Sequence, residues 1–254
     1  MSMSKSGIQY ADFAWNPVTG CRPGLPCAAR CRAAAMHRRF HPGEDFGTPR
    51  EHPERLDQPM RTRRSGVVAV SFGGDLFADG VSMGFLYRVF GAMENQPRHT
   101  FLVLTKRPER MAWLRTAEPR PNIILGTSVS TQAEADERIP HLMDLAAKGW
   151  RTWVSVEPML GPVDLSDLPA NCDPLPGKHP WDYLCALTGT GRHPQGDAEP
   201  NVYSHISWVV CGSESGPGAR PMNPDWARSL RDQCATAGTS AATSSTLATS
   251  ALFC

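Results

Sequence analysis

Little in this chain speaks for export or for a membrane. The opening residues, MSMSKSGIQYADF, carry no apolar core of the kind a signal peptide needs. No run approaches the ~18 consecutive apolar residues of a bilayer-spanning helix. Charge of one sign is missing as well: 26 Lys+Arg stand against 25 Asp+Glu, a formal net charge of +1. Bulk electrostatics therefore point to neither nucleic acid nor a membrane surface. No Walker loop and no Gly-x-Gly-x-x-Gly follows the first strand-like segment, which weakens a nucleotide-binding reading. What remains is a chain of 254 residues, long enough to bury one barrel-sized α/β core or two smaller ones. Its eight cysteines, without a secretory signal, are expected in the reducing cytoplasm, in metal or packing roles and not in disulfides.

The densest chemistry lies in WNPVTGCRPGLPCAARCRAAAMHRRF, Trp15 to Phe40, where Cys21, Cys27 and Cys31 sit between a short apolar approach and an Ala/Arg-rich helical segment. Three thiolates can hold three irons of a four-iron cluster and leave the fourth iron open. A structural zinc site completed by His37 or His41 is the second reading, since zinc accepts Cys3His sets. Three unliganded thiols are the third. The spacing, Cys-x5-Cys-x3-Cys, is not the Cys-x2-Cys pairing that strongly favours zinc. Cys172, Cys185, Cys211 and Cys234 are scattered and read as buried or loop thiols.

Beyond a broken, polar connection from His41 to Pro59, apolar strands alternate with helical patterns. Strands are expected at Val67–Phe72, Thr100–Leu104, Asn122–Val129, Arg151–Val156 and Ile206–Cys211, a sixth being the approach to Cys21. Helices are expected at Met83–Asn95, from Pro108 to about Leu114, at Gln132–Ala147 behind a Thr131 cap, and from Pro224 to about Ala237 behind Asn223. Residues 162–204 read as a loop-rich rim insertion in which only Trp181 to Leu187 looks helical. This alternation predicts a single α/β domain over residues 1–238, a partial (β/α) barrel of about six parallel strands, with a doubly wound sheet as runner-up. Residues 239–254 form a Ser/Thr/Ala tail. Thr239 to Thr246 has no large apolar residue, so the tail is expected to be disordered or frameshifted, without a strand.

Polar groups collect behind the strands: Asn16 and Cys21, then Asp75, then Thr105 and Lys106, Ser128 and Ser130, Glu157, and lastly Glu214 and Ser215. Strand carboxyl ends converge on one face in barrels, and active sites are built there. Gly73-Gly74-Asp75 could admit a ligand to the backbone and meet an ammonium group, or be a tight turn. Lys106 could serve as a Schiff-base lysine or an anion binder. The clusters Arg61/Arg63/Arg64 and Lys106/Arg107/Arg110 read as solvated charge. The run from Ser213 to Pro221 could hold a carboxylate or phosphate with its amides and Arg220, or be a glycine-rich turn.

Seven phrases occur in order. They are Trp15-Asn16-Pro17-Val18-Thr19-Gly20-Cys21, His52-Pro53-Glu54-Arg55-Leu56, Gly74-Asp75-Leu76-Phe77, His99-Thr100-Phe101, Leu104 to Met111, Ser155-Val156-Glu157-Pro158 with Leu160-Gly161-Pro162, and Glu214 to Met222. Together they resemble the phage-associated three-Cys-motif proteins, a family of unknown function, over about residues 8 to 238. That family is in turn similar to radical S-adenosylmethionine enzymes. This similarity implies a [4Fe-4S] cluster on Cys21, Cys27 and Cys31, and a methionine amino group held by Gly73, Gly74 and Asp75. The usual spacing there is Cys-x3-Cys-x2-Cys with a Glu after the glycines, and both features differ here.

The resulting expectation is an iron–sulfur enzyme with S-adenosylmethionine as cofactor. Lys106, Glu157 and Glu214 are its candidate catalytic residues, and Gly73, Gly74, Asp75, Ser128 and Arg220 its candidate cofactor contacts. Asp75→Asn is expected to spare folding and weaken S-adenosylmethionine binding. Two rivals stand beside it: a zinc-stapled, non-catalytic module working with a phage or nucleic-acid partner, and a barrel enzyme with Lys106 as Schiff base and Glu157 as its acid–base partner. The substrate is unknown. A partner protein encoded nearby is expected, no membrane is involved, and nucleic acid stays open.

Overall fold

The structure, a computed structural model, describes residues 1–21, 30–169, 183–192, 205–216 and 218–243. Cys27, Cys172, Trp181 and the end of the tail lie outside these. The chain is a mixed α/β protein with a mostly parallel central sheet. It packs as two compact units. Among the described residues no helix is long and apolar enough to cross a membrane.

The first unit comprises Met1–Arg107 with Arg120–Ile124. It contains β1 (Ser4–Lys5), β2 (Phe13–Trp15), β3 (Val18–Thr19), α1 (Arg32–Phe40), β4 (Arg50–Glu51), α2 (Gln58–Arg61), β5 (Gly66–Val70), α3 (Met83–Glu94) and β6 (His99–Thr105). β2, β5 and β6 are parallel neighbours, in register Trp15↔Val70 and Val70↔Val103. β1 adds an antiparallel edge to β2, and β3 pairs with β4 in a separate antiparallel ribbon. The expected apolar face of α3 is present: Phe85, Leu86, Val89, Phe90 and Met93 are buried, and Ser82 caps the helix by accepting from the Phe85 N–H. Trp15 and Phe101 meet at the core with ring centroids 5.9 Å apart, both fully buried.

The Trp15–Thr19 and His52–Leu56 phrases lock each other. The Trp15 indole donates to Arg55 O at 2.8 Å, and Arg55 Nη1 donates to Asn16 O at 3.0 Å. The His52 N–H donates to Pro17 O at 2.8 Å, and the His52 ring lies 2.8 Å from Thr19 Oγ1. A buried indole N–H without an acceptor would cost about 1–3 kcal/mol. The 3-10 turn Pro53–Arg55 supplies that acceptor.

The second unit comprises Pro108–Pro119 and Leu125–Cys254. Here lie most of β7 (Ile123–Val129), α4 (Gln132–Ala146), β8 (Arg151–Val156), β9 (Leu168–Pro169), β10 (Tyr183–Cys185), β11 (Thr190–Arg192), β12 (Trp208–Cys211), α5 (Pro224–Ala237) and β13 (Ser240–Thr243). β8, β12 and β13 are parallel neighbours, Trp208 pairing with both Trp153 and Ser240. The Trp153 and Trp208 rings stack at 5.1 Å. Trp153 is fully buried, and a Cβ built on Gly126 would run into its indole. Gly126→Ala is therefore expected to cost about 1–3 kcal/mol through overpacking, read as a lower urea midpoint at unchanged slope. A wild-type midpoint would show that the two strands can part at that contact.

Three expected elements differ. The run after Pro108 forms 3-10 turns over Pro108–Thr116, and the Leu114 carbonyl accepts both from the Ala117 N–H at 3.2 Å and from the Trp150 indole at 3.1 Å. Within the expected Trp181–Leu187 helix, Tyr183–Cys185 form β10, paired antiparallel with β9 and β11, and Ala186 and Leu187 begin a turn. A short apolar run does not by itself separate helix from strand. The tail contributes β13, although the lack of large side chains argued against a strand. Asn223 caps α5 as expected, Gly238 ends it in a left-handed conformation, φ 68°, and the Thr239 N–H then donates to Cys234 O at 2.9 Å, turning the chain back. Ala241 and Ala242 lie opposite Val209 and Val210, so a parallel backbone ladder with an already buried strand replaces the missing apolar side chains.

Candidate active site at the ends of β2, β5 and β6

Three strand ends in the first unit are tied into one polar cluster. After β5, Ser71 adopts a left-handed conformation, φ 56°, and its N–H donates to Trp15 O at 2.8 Å. This turn carries Gly73-Gly74-Asp75 back towards the end of β2. There Asn16 Oδ1 accepts from the Gly73 N–H at 2.9 Å. The chain beyond β3 reaches the same place: Gly20 bridges Gly74 in parallel, and the Asp75 N–H donates to Gly20 O at 3.1 Å.

This contact accounts for two glycines. A Cβ on Gly74 would stand 2.5 Å from Gly20 O and 2.7 Å from Gly20 N. Gly20 itself has φ 84°, and a Cβ there would meet Thr48 O at 2.8 Å and Phe46 O at 2.9 Å. Only hydrogen fits at these positions. Gly74 is thus filled by backbone, where an approaching ligand had been one of the expectations.

Asp75 is buried, 4% exposed, and both its oxygens are engaged. Oδ1 accepts from the Phe77 N–H at 2.9 Å and the Thr105 hydroxyl at 2.7 Å, and Oδ2 accepts from the Lys106 N–H at 3.0 Å. The carboxylate joins the end of β5 to the end of β6. The expected contact with a cofactor's ammonium group would come in addition to this clamping role, since three donors leave part of the carboxylate's accepting capacity on Oδ2.

Cys21 follows directly. Its N–H donates to Phe46 O at 2.9 Å, and its thiol is half-buried. Arg107, expected as solvated charge, lies beneath it: the side chain is 13% exposed, Nη1 is 4.0 Å from Cys21 Sγ and Nη2 is 3.4 Å from Asp79 Oδ2. Burial works against the guanidinium's charge, but Asp75, Cys21 and Asp79 outweigh it and hold Arg107 above the ordinary arginine range. A half-buried cation therefore stands against the sulfur. Sequence reasoning missed Arg107, whose one signal was its place just beyond a strand end. Lys106 is half-buried and contributes its backbone N–H to the cluster.

Cys31 is the residue before α1 and is also a free, half-buried thiol. On the same helix His37 is buried, with Nε2 lacking a hydrogen-bond partner and 4.0 Å from Glu44 Oε2. Among the described residues no three His, Cys, Asp or Glu side chains are gathered as metal ligands. Cys21 and Cys31, neither of them in a disulfide, suit an iron–sulfur or zinc centre as half-exposed thiols, and Cys27 lies outside the described residues.

The second unit holds its own polar strand ends. Ser128 Oγ donates to Glu157 O at 3.3 Å, and Ser155 Oγ donates to Glu157 Oε2 at 3.1 Å. Burial, with Glu157 adding to it, pushes the Cys211 thiol up to about 11, so it is a packed thiol and not a nucleophile. Behind Ser128 stands a buried ion pair that sequence reasoning also missed. Glu134 Oε1 meets Arg138 Nη2 at 3.0 Å, Glu134 Oε2 accepts from the Ser130 N–H at 2.6 Å, and Arg138 Nη1 donates to Ser128 O at 2.8 Å. Its signal was the Thr131 cap with Glu134 three residues on, which the structure shows with the carboxylate reaching one residue further back than a capping box.

Glu214 and Arg220 are brought together. Arg220 Nη2 donates to Oε1 at 2.8 Å and Nε to Oε2 at 3.1 Å, and the Arg220 N–H donates to Oε2 at 2.8 Å. These bonds to Glu214 raise the Arg220 guanidinium above its ordinary range. The loop is closed by its own carboxylate, so Arg220 already holds one when an outside anion arrives.

The chain belongs to the family described as "Protein of unknown function (DUF5131)", which matches residues 5–242. No curated protein matches it. Among solved structures it is similar to spore photoproduct lyase complexed with dinucleoside spore photoproduct, with TM-score 0.54, 11% identity, and 93% of this chain and 75% of that chain covered. A cysteine-to-serine mutant of spore photoproduct lyase gives TM-score 0.52 at 12% identity, over 93% of this chain and 76% of the other. A double mutant with bound AdoMet and dinucleoside spore photoproduct gives 0.50 at 12%, over 62% of this chain. In that last case the chain spans 48% of the neighbour's length. At such identities the likeness is one of fold.

Proposed function

We propose that this DUF5131 protein is a cytoplasmic iron–sulfur enzyme using S-adenosylmethionine (AdoMet) for radical chemistry, on a partial (β/α) barrel. The observation that carries the reading is the Gly20–Gly74 bridge. It bonds the cysteine-bearing stretch to Gly73-Gly74-Asp75, the two segments that the resemblance to radical S-adenosylmethionine enzymes matches to cluster and cofactor. AdoMet bound in a spore photoproduct lyase of similar fold supports it further.

In this reading Cys21, Cys27 and Cys31 would hold a [4Fe-4S] cluster. When bound, cluster and AdoMet supply one-electron cleavage of the sulfonium and hydrogen abstraction from substrate. The chain's own part is positioning. Asp75 holds the ends of β5 and β6 together, Asn16 fixes Gly73, and Arg107 sets positive charge against Cys21. Lys106, Glu157 and Glu214 are proposed to meet substrate, and Ser128 and Arg220 the cofactor. A phage or prophage setting and a partner protein encoded nearby belong to the same proposal, on the strength of the seven shared phrases.

One observation favours a second reading. The buried, unpartnered Nε2 of His37 lies on the helix that Cys31 precedes, as a fourth ligand of a Cys3His zinc site would need. The Schiff-base route has no such support, since it is the Lys106 backbone that meets Asp75. Anaerobic purification tests the first two. A brown protein with iron and sulfide, both lost in Cys21→Ala and Cys31→Ala, is expected. Colourless protein with stoichiometric zinc, lost in His37→Ala, would replace the cluster with the zinc site.

A further inference from the structure

The arginines of this chain mostly meet carboxylates. Arg50 pairs with Glu44, Arg61 with Asp57, Arg120 with Glu94, Arg138 with Glu134 and Arg228 with Asp225. Helix α1 is different. Arg32, Arg38 and Arg39 are exposed, and among the described residues none of them has an acidic partner. Residues 30–43 contain no Asp or Glu at all. The nearest carboxylate, Glu44, is 2.7 Å from Arg50 Nη1, 3.8 Å from His41 Nδ1 and 4.0 Å from His37 Nε2.

Two large apolar side chains share the same exposed surface. Met36 is 50% and Phe40 63% exposed, whereas Ala34 and His37 on the opposite side are buried. Arg32, Met36 and Arg39 follow at i, i+4 and i+7 and form one stripe about 10 Å long. Phe40 flanks it with the Arg39 guanidinium 5.5 Å from its ring centroid. Cations without acidic partners beside an exposed aromatic ring match the two things a nucleotide offers, a phosphate and the face of a base.

We propose that this face of α1 binds single-stranded nucleic acid. Arg32 and Arg39 would take phosphates, and Phe40 would offer a stacking surface to an unpaired base. Single-stranded chain is favoured over duplex because only an unstacked base exposes a face to the ring. α1 starts beside Cys31, so the inference names a substrate class for the proposed cysteine site and rests on that reading for its catalytic meaning.

The test is fluorescence anisotropy of the full chain with a labelled single-stranded oligonucleotide of roughly twelve nucleotides, at several salt concentrations. Arg32→Ala/Arg39→Ala is expected to weaken binding at least tenfold and to lower the salt slope by about 1.4, two single-strand phosphate contacts. Phe40→Ala is expected to weaken the single strand about tenfold and a duplex of the same sequence far less. Arg61→Ala/Arg120→Ala, which removes arginines held in ion pairs elsewhere, serves as the control and should bind as wild type. Circular dichroism checks that each variant is folded.

Equal affinity of wild type and Arg32→Ala/Arg39→Ala would overturn the proposal. So would competition by a polyglutamate peptide as strong as by the oligonucleotide, which would make the partner an acidic protein. The binding assay needs no metal. Wild type that holds iron but binds no oligonucleotide defeats this inference alone, and wild type that binds the oligonucleotide but carries no iron after anaerobic purification defeats only the cluster reading.

Discussion

Replacing Glu134 by alanine is expected to cost about 3–5 kcal/mol of stability, the usual penalty for stranding one partner of a buried ion pair. Arg138 is 5% exposed and Glu134 8%, so solvent cannot take over for the missing carboxylate. The variant also leaves the Ser130 N–H, 2.6 Å from Glu134 Oε2, without its acceptor. The expected reading is a clear fall in the urea midpoint with the slope unchanged. Glu134→Leu/Arg138→Met should recover much of the loss, since a buried pair is often replaceable by apolar side chains of similar volume. The Ser128 carbonyl and Ser130 N–H would still lose their side-chain partners. A Glu134→Ala protein as stable as wild type would mean that α4 moves enough to hydrate Arg138.

Asp75→Asn is expected to lower stability by about 1.5–3 kcal/mol, the scale of a hydrogen bond to a charged group. An asparagine can keep one oxygen towards Phe77 and Thr105. Its NH2 then faces the Lys106 N–H, and two donors cannot bond. Asp75→Ala should be worse, because it leaves the Phe77 N–H, the Thr105 hydroxyl and the Lys106 N–H without their acceptor at a position 4% exposed. The check is a denaturation midpoint measured without cofactor. Should Asp75→Asn be fully stable and affected only in AdoMet affinity, the carboxylate would return to the ligand role that the Gly-Gly-Asp pattern alone suggested.

These two expectations mark where the sequence was legible. Strands β5, β6, β7, β8 and β12 were visible as apolar runs because a parallel strand buried on both faces is rich in Val, Ile and Leu, whereas β2 (Phe-Ala-Trp) was read only from its place before the cysteines. The caps Thr131 and Asn223 could be read from local chemistry, since each satisfies backbone groups within a few residues of itself. Asn16, Lys106 and Glu157 directly follow their strands, Asp75 lies five residues beyond β5, and Ser128 is the penultimate residue of β7. What they touch was not visible. Asp75 and Thr105 are thirty residues apart, and Cys21 and Arg107 eighty-six, so no periodicity links them.

Length, the positions of the main strands, the caps Thr131 and Asn223 and the cysteine stretch were thus determined by the sequence itself, because burial patterns and capping are local. Tertiary structure alone decided three things. It turned Gly74 from a ligand-facing glycine into the partner of Gly20, where two backbones leave no room for a side chain. It moved Arg107 from the surface to a place beside sulfur and two carboxylates. It gave Ser240–Thr243 a strand that its side chains could not specify, because β12 offered a buried, unpaired edge whose hydrogen bonds the backbone could complete.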